Sequence, residues 1–178
     1  MPWKHSWPTH ELKQSRDWLK EQREHLVNLP SYPSDSLSDS DLVEGYLSRY
    51  LSLRATGHIE LVVETVIREF ARAQASPSVV NFIEQGLFKG RNVKADTLIE
   101  RLGVFDSSLK EQLRQFLEEG NPPRKSTLNA MVKSRNSIAH GVSENMTVSK
   151  ALENSQLSLE LTKFLVELFN DKINRNNI

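Results

Sequence analysis

Cysteine is absent from all 178 positions, which excludes disulfides, thiolate catalysis and cysteine-ligated zinc or iron–sulfur centres. Net charge is absent too: 23 basic and 23 acidic side chains cancel. No global field therefore draws the chain to nucleic acid or to an anionic membrane, and any nucleic-acid site has to be local. No apolar run is long enough to span a bilayer, and the opening MPWKHSWPTHELKQ lacks the apolar centre of a secretion signal. The expectation is a soluble, cytoplasmic protein with no membrane partner. Alternating strand patterns are scarce, and no internal repeat or low-complexity tract stands out. There is no His-Glu-x-x-His helix and no acidic calcium loop, and His5 and His10 do not make a ligand set. The stretch GLFKGRN has two glycines and basic residues but not the motif that cradles a triphosphate. Neither a metal nor a cofactor is expected.

What is present suffices for one domain with a sizeable core, since 38% of the residues are hydrophobic against 26% charged. The pattern is helical. A polar segment from Thr9 to Leu29 has Leu12, Trp18, Leu19, Leu26 and Val27 as its apolar points, and Pro30 forbids its continuation. Residues 31–41 are rich in Ser, Asp and Pro and read as a linker. Ser38 and Asp41 have capping-box spacing, so a long helix is expected to start near Ser38 and to run to about Ala73, with Gly57 a point of weakness or bending. The organisation expected is an N-terminal helix and linker over 1–37 and a helical domain over 38–178. Ser76-Pro77 opens a short helix carrying Val79, Val80, Phe82 and Ile83, which Gly86 and Gly90 bracket at its end. Two more short helices are expected, around Ala95–Leu102 and over Ser107–Glu119, the second stopped by Gly120 and Asn121-Pro122-Pro123. Ser126 is placed to cap a helix with Leu128, Met131, Val132 and Ile138, ended by Gly141. A last helix, about Ser149–Asn174, carries Leu157, Leu161, Phe164, Leu165, Leu168 and Phe169.

The chemistry concentrates in the helix after Ser126. Its apolar stripe continues, at three-and-four spacing, onto Arg135, a charge that cannot be discharged and so has to be paired, hydrated in a cleft, or offered to an anion. His140 lies five residues on, displaced by roughly 140° in an ideal helix, so helical geometry alone does not join the two. A helix ending at His140 frees the ring to swing toward the same cleft, with Asn136 one turn beneath it. The plainer alternatives are a paired structural arginine and a histidine that serves only the last carbonyls.

The run Arg135-Asn136-Ser137-Ile138-Ala139-His140 resembles the signature of HEPN domains: an arginine, a polar residue, three further residues and a histidine. The likeness extends over about Ser38 to Asn174, in a long early helix, intervening short helices, the motif near a helix end and one long final helix. It is closest to the prokaryotic ribonuclease-like members of toxin–antitoxin and phage-defence systems, the RiboL-PSP-HEPN group among them. What the resemblance implies is an all-α bundle of about four to six helices with an added N-terminal helix, and metal-independent RNA cleavage between two subunits. On that reading Arg135 binds the scissile phosphate, His140 moves the proton, Asn136 holds a phosphate oxygen or orients the ring, and the product ends in a 2′,3′-cyclic phosphate. The implied partners are RNA, a second copy of the chain, and an antitoxin or defence-system protein.

Other basic residues are weighed against solvated surface, the usual reading of such clusters. Arg124, Lys125 and Lys133 gather around the motif helix and Lys89, Arg91 and Lys94 in another loop, with Lys133 a candidate for substrate binding. Arg54 and His58, four apart, either line the same cleft or form a polar interface pair. Glu60, Glu64 and Arg68 have the spacing of a surface ion-pair ladder. Trp3 and Trp7 suit either a partner anchor or a frayed terminus. A catalytically inactive module binding RNA, nucleotide or a protein partner, and a purely structural helical subunit, are the alternatives to the ribonuclease.

Overall fold

The computed structural model describes residues 9–29, 37–86, 93–141 and 145–175, with the backbone alone at 37–40, 174 and 175. These residues form seven helices and no strand: α1 (His10–Val27), α2 (Leu37–Gln74), α3 (Pro77–Gly86), α4 (Ala95–Phe105), α5 (Ser107–Glu118), α6 (Arg124–Ala139) and α7 (Val148–Arg175). The all-α expectation is met. Trp3, Trp7, His5, most of the linker, and Lys89, Gly90 and Arg91 lie outside the described residues. Among the described residues no helix is long and apolar enough to cross a membrane.

At 38 residues, α2 is about 57 Å long. It lies against α7 in the most extensive contact of the molecule. Leu51, Ala55, Ile59, Val62, Val63, Val66 and Ile67 face Leu161, Leu165, Leu168, Phe169 and Ile173 in one core. Small and hydroxylated residues let the two backbones approach. Ser158 donates to the carbonyl of Ala55 at 2.7 Å, and Asn154 Nδ2 donates to Ser52 Oγ at 3.0 Å. Gly57 is exposed, a Cβ there would meet nothing, and the helix runs unbroken through it.

The apolar points of α1 divide between core and solvent. Leu12, Leu19 and Leu26 are buried, but Trp18 and Val27 are exposed. A seven-residue spacing on one face gives a narrow seam against α2 and α7, and residues 18 and 27 fall to its side. Thr9 caps the start by accepting from Leu12 N at 3.2 Å. Through Leu12, Leu19 and Leu26, α1 shares the core of α2 and α7.

The helix starts also differ in detail. α2 is already under way at Leu37, which puts Ser38 inside the first turn rather than at the cap. α6 begins at Arg124 after Pro123, so Ser126 is the third helical residue. Its hydroxyl donates back to the Pro123 carbonyl at 2.7 Å instead of accepting as a cap.

Between these, α4 and α5 pack on each other through Leu98, Leu102, Leu109 and Leu113. Asp106 joins them. It ends α4, accepts from Ser108 N at 2.6 Å to cap α5, and pairs with Lys172 of α7. Phe116 of α5 stacks on Phe164 of α7 with centroids 4.4 Å apart, and the Arg124 guanidinium covers its ring at 4.3 Å. The start of α6 is thereby fixed against both.

Candidate active site

α6 presents two faces with different tasks. Leu128, Met131 and Val132 are buried against the core, and the same stripe leads to Arg135 near the helix end. There the Arg135 side chain is 39% exposed and its guanidinium reaches α2, with Nη2 3.4 Å from Glu60 Oε2. Its Nη1 donates to Asn136 Oδ1 at 3.2 Å. Of the outcomes open to an arginine on this stripe, Arg135 is paired and partly solvated together. A half-exposed pair at that distance contributes little to stability, about 0–1 kcal/mol. The ladder expected along α2 is correspondingly incomplete: Arg68 pairs with Glu64 at 3.6 Å and with Glu69 at 3.7 Å, whereas Glu60 turns to Arg135.

The helix stops where the glycine dictates. His140 is the C-cap residue, its N–H bonded to the Asn136 carbonyl at 3.0 Å. Gly141 follows with φ +72°, a left-handed conformation that costs a side-chain-bearing residue about 1 kcal/mol, and its N–H returns to the Ile138 carbonyl at 3.1 Å. His140 is exposed, and its ring makes no hydrogen bond to another described residue. The backbone, not the imidazole, serves the last carbonyls.

The second face of α6 is polar and lines an open groove of 660 Å³. Asn129, Lys133, Asn136, Ser137 and His140 follow one another at helical spacing along this wall. The opposite wall is the start of α4, with Lys94, Asp96 and Thr97. Arg135 lies just outside the groove and is joined to it through Asn136. The structure thus brings Lys133, Asn136 and His140 together on one surface with Arg135 at its edge. Glu60 was missed as a neighbour of this site. The spacing of Asn129 and Ser137 with Lys133, Asn136 and His140 was the available signal for the groove wall.

Arg54 and His58 are not part of this surface. Only Ile59 separates His58 from Glu60, and two helical steps turn the side chains by about 200°, so the two point to nearly opposite sides of α2. His58 is 2% exposed, with Ser15 Oγ of α1 2.9 Å from Nδ1 and Thr162 Oγ1 of α7 3.4 Å from Nε2. Burial above all, then the charges of Arg54 and Arg16, push its pKa down to about 4. Arg54 lies over the Trp18 ring at 4.7 Å. His58 thus lies where α1, α2 and α7 meet, and Arg54 lies against α1. Among the described residues, no three His, Asp or Glu side chains converge in a way that would hold a metal ion.

No curated protein and no solved structure matches the sequence significantly. The RiboL-PSP-HEPN family model matches residues 16–175, from the middle of α1 to the end of α7, and with that span, the helical order and the motif at the end of α6, the chain belongs to the RiboL-PSP-HEPN family.

Proposed function

We propose that this protein is an endoribonuclease that cleaves RNA by attack of a ribose 2′-hydroxyl on the adjacent phosphate. The bond from phosphorus to the 5′-oxygen breaks, leaving a 2′,3′-cyclic phosphate and a 5′-hydroxyl, and no metal is required. The observation that carries this reading is His140 itself, an exposed imidazole with no hydrogen-bond partner among the described residues, one helical turn above an Asn136 that Arg135 donates to. A near-neutral reference pKa suits an imidazole to take the 2′-proton. A second His140, from another copy of the chain, returns a proton to the leaving oxygen in a homodimer. Arg135 is poised rather than locked, because a phosphate with two free oxygens offers the guanidinium a better bidentate partner than a Glu60 oxygen 3.4 Å away. Membership of a family with ribonuclease-like members supports the same reading. Such an activity suits a cytoplasmic toxin or defence effector restrained by an antitoxin or another protein of its system.

A second reading has its own observation. With Arg135 engaged by Glu60, the site has the form of a silent module that binds RNA, nucleotide or protein without cutting. Incubating a mixed RNA pool with purified protein in chelator separates the two. Wild type is expected to yield cyclic phosphate ends, with His140→Ala and Arg135→Ala each lowering the rate by about 10²–10⁴-fold while the helical circular dichroism signal and sedimentation stay unchanged. Binding without cleavage by wild type favours the silent module, and equal cleavage by all three proteins places the activity elsewhere.

A further inference from the structure

The proposed cleavage uses only one end of the α4/α6 groove. From His140 the α6 wall continues through Lys133 to Asn129, about 16 Å along the helix axis. Nothing in the transesterification needs that length, and its chemistry is selective.

Two ties between α4 and α6 form the groove in advance. Asn129 Oδ1 accepts from Ala95 N at 3.0 Å, and Lys125 Nζ meets Asp96 Oδ1 at 2.6 Å. The same ties define what the groove offers. Asp96, its acidic residue, is neutralised by Lys125, so Lys133 sets the sign of the charge. The side-chain oxygens of Asn129 and Asn136 are both engaged as acceptors, from Ala95 N and from Arg135, which leaves their Nδ2 amides as groups able to donate. Lys133 is exposed and makes no ion pair with another described residue. Among the described residues no Phe, Tyr or Trp lines the groove, and its one ring is the His140 imidazole at the far end. The ligand this surface fits is acceptor-rich, anionic and not held by stacking, and 660 Å³ is within the usual range for a small ligand or one unit of a polymer.

We infer that the groove between α4 and α6 receives the phosphodiester of the nucleotide next to the cleaved bond, with Lys133 binding that phosphate and the Asn129 amide donating to an oxygen of the same nucleotide. This rests on the ribonuclease reading for the position of the cleaved bond, and it adds a binding residue about 10 Å along the helix from His140.

The test is binding of a fluorescein-labelled single-stranded 2′-O-methyl RNA, which lacks the nucleophile, followed by anisotropy at several salt concentrations. Lys133→Ala is expected to weaken binding about 5–10-fold and to reduce the slope of log K against log salt by about 0.7, the loss of one phosphate contact on a single strand. Lys133→Arg is expected to restore both, and Lys13→Ala, on α1, to change neither. In parallel, cleavage of unmodified RNA by Lys133→Ala is expected to show a raised KM with kcat kept. Unchanged affinity and slope in Lys133→Ala, or no binding by wild type, overturns the inference. Wild type that cleaves normally while Lys133→Ala binds normally removes the groove and leaves the ribonuclease. Wild type that does not cleave, but loses affinity and slope in Lys133→Ala, removes the ribonuclease and leaves the groove.

Discussion

Among single residues, His58 has the environment with the clearest thermodynamic consequence. Its ring is enclosed by α1, α2 and α7, with Ser15 and Thr162 at its nitrogens and the Arg54 and Arg16 charges nearby, so that the neutral form is held and the pKa falls to about 4. In the unfolded chain an imidazole titrates near 6.5, so the unfolded state binds the proton first as pH falls. His58 therefore leaves stability intact above about pH 6.5, erodes it as pH drops toward 4, and takes nothing further below that, a total of roughly 3 kcal/mol at most. Urea unfolding at pH 7, 5 and 4 should show wild type losing more stability over this window than His58→Gln, and parallel losses in the two proteins would mean that carboxylates alone set the acid limit. The sequence displayed His58 four residues from Arg54 but not its burial, because that depends on α1 and α7 arriving from residues 43 and 104 positions away. The Arg135–Glu60 pair was hidden for the same reason, being made between residues 75 apart. His140 was more legible, since a glycine after a helical run has a local conformational meaning.

At the scale of elements, Asp106 shows how one side chain sets three helices. It terminates α4, caps α5 through Ser108 N at 2.6 Å and pairs with Lys172 of α7, and these hydrogen bonds, Lys172 first, hold its pKa far below the usual carboxylate range. Asp106→Ala is expected to cost about 1–2 kcal/mol in urea unfolding at pH 7, the value of a good N-cap, and Asp106→Asn less, because an amide still accepts from Ser108. A loss as large for Asn as for Ala would assign the effect to Lys172 instead. The depressed pKa has the usual carboxylate sign, with its stabilisation present above the unfolded value near 3.8 and lost as pH falls below it. Elements of this kind were read well from sequence where the signal was periodic: the bounds of α1, α3, α5 and α7 fall within one to three residues of expectation. The start of α6 was misplaced because Ser126 is a good cap in isolation, while Pro123 and the Arg124 contacts to Phe116 begin the helix earlier. Local propensity competes with tertiary contact at such a boundary, and the contact decides.

At the scale of the whole molecule, the N-terminal helix tests whether the chain has one cooperative unit. Composition and the Ser/Asp/Pro-rich segment suggested a division near residue 37, yet Leu12, Leu19 and Leu26 are buried in the same core as Ile59, Leu161 and Phe169. Burial of three leucines contributes roughly 4–9 kcal/mol, comparable to the whole net stability of a domain this size. A helix that contributed so much could not detach while the rest stayed folded with its apolar seam on α2 and α7 open to water. Leu19→Ala is therefore expected to lower the stability of the entire protein by about 2–5 kcal/mol, moving one unfolding transition reported alike by helical circular dichroism and by Trp18 fluorescence. Trp18 is the tryptophan on α1, exposed beside Leu19 with Arg54 over its ring, so replacing Trp3 and Trp7 by Phe in the tested protein makes fluorescence report on α1 alone. If the fluorescence change came first and the helical signal followed at higher denaturant, α1 would be a separable arm and the division suggested by composition would be a real boundary. Coincident transitions would instead make α1 part of the scaffold that fixes α2, and through α2 the position of Glu60 beside Arg135 at the edge of the groove.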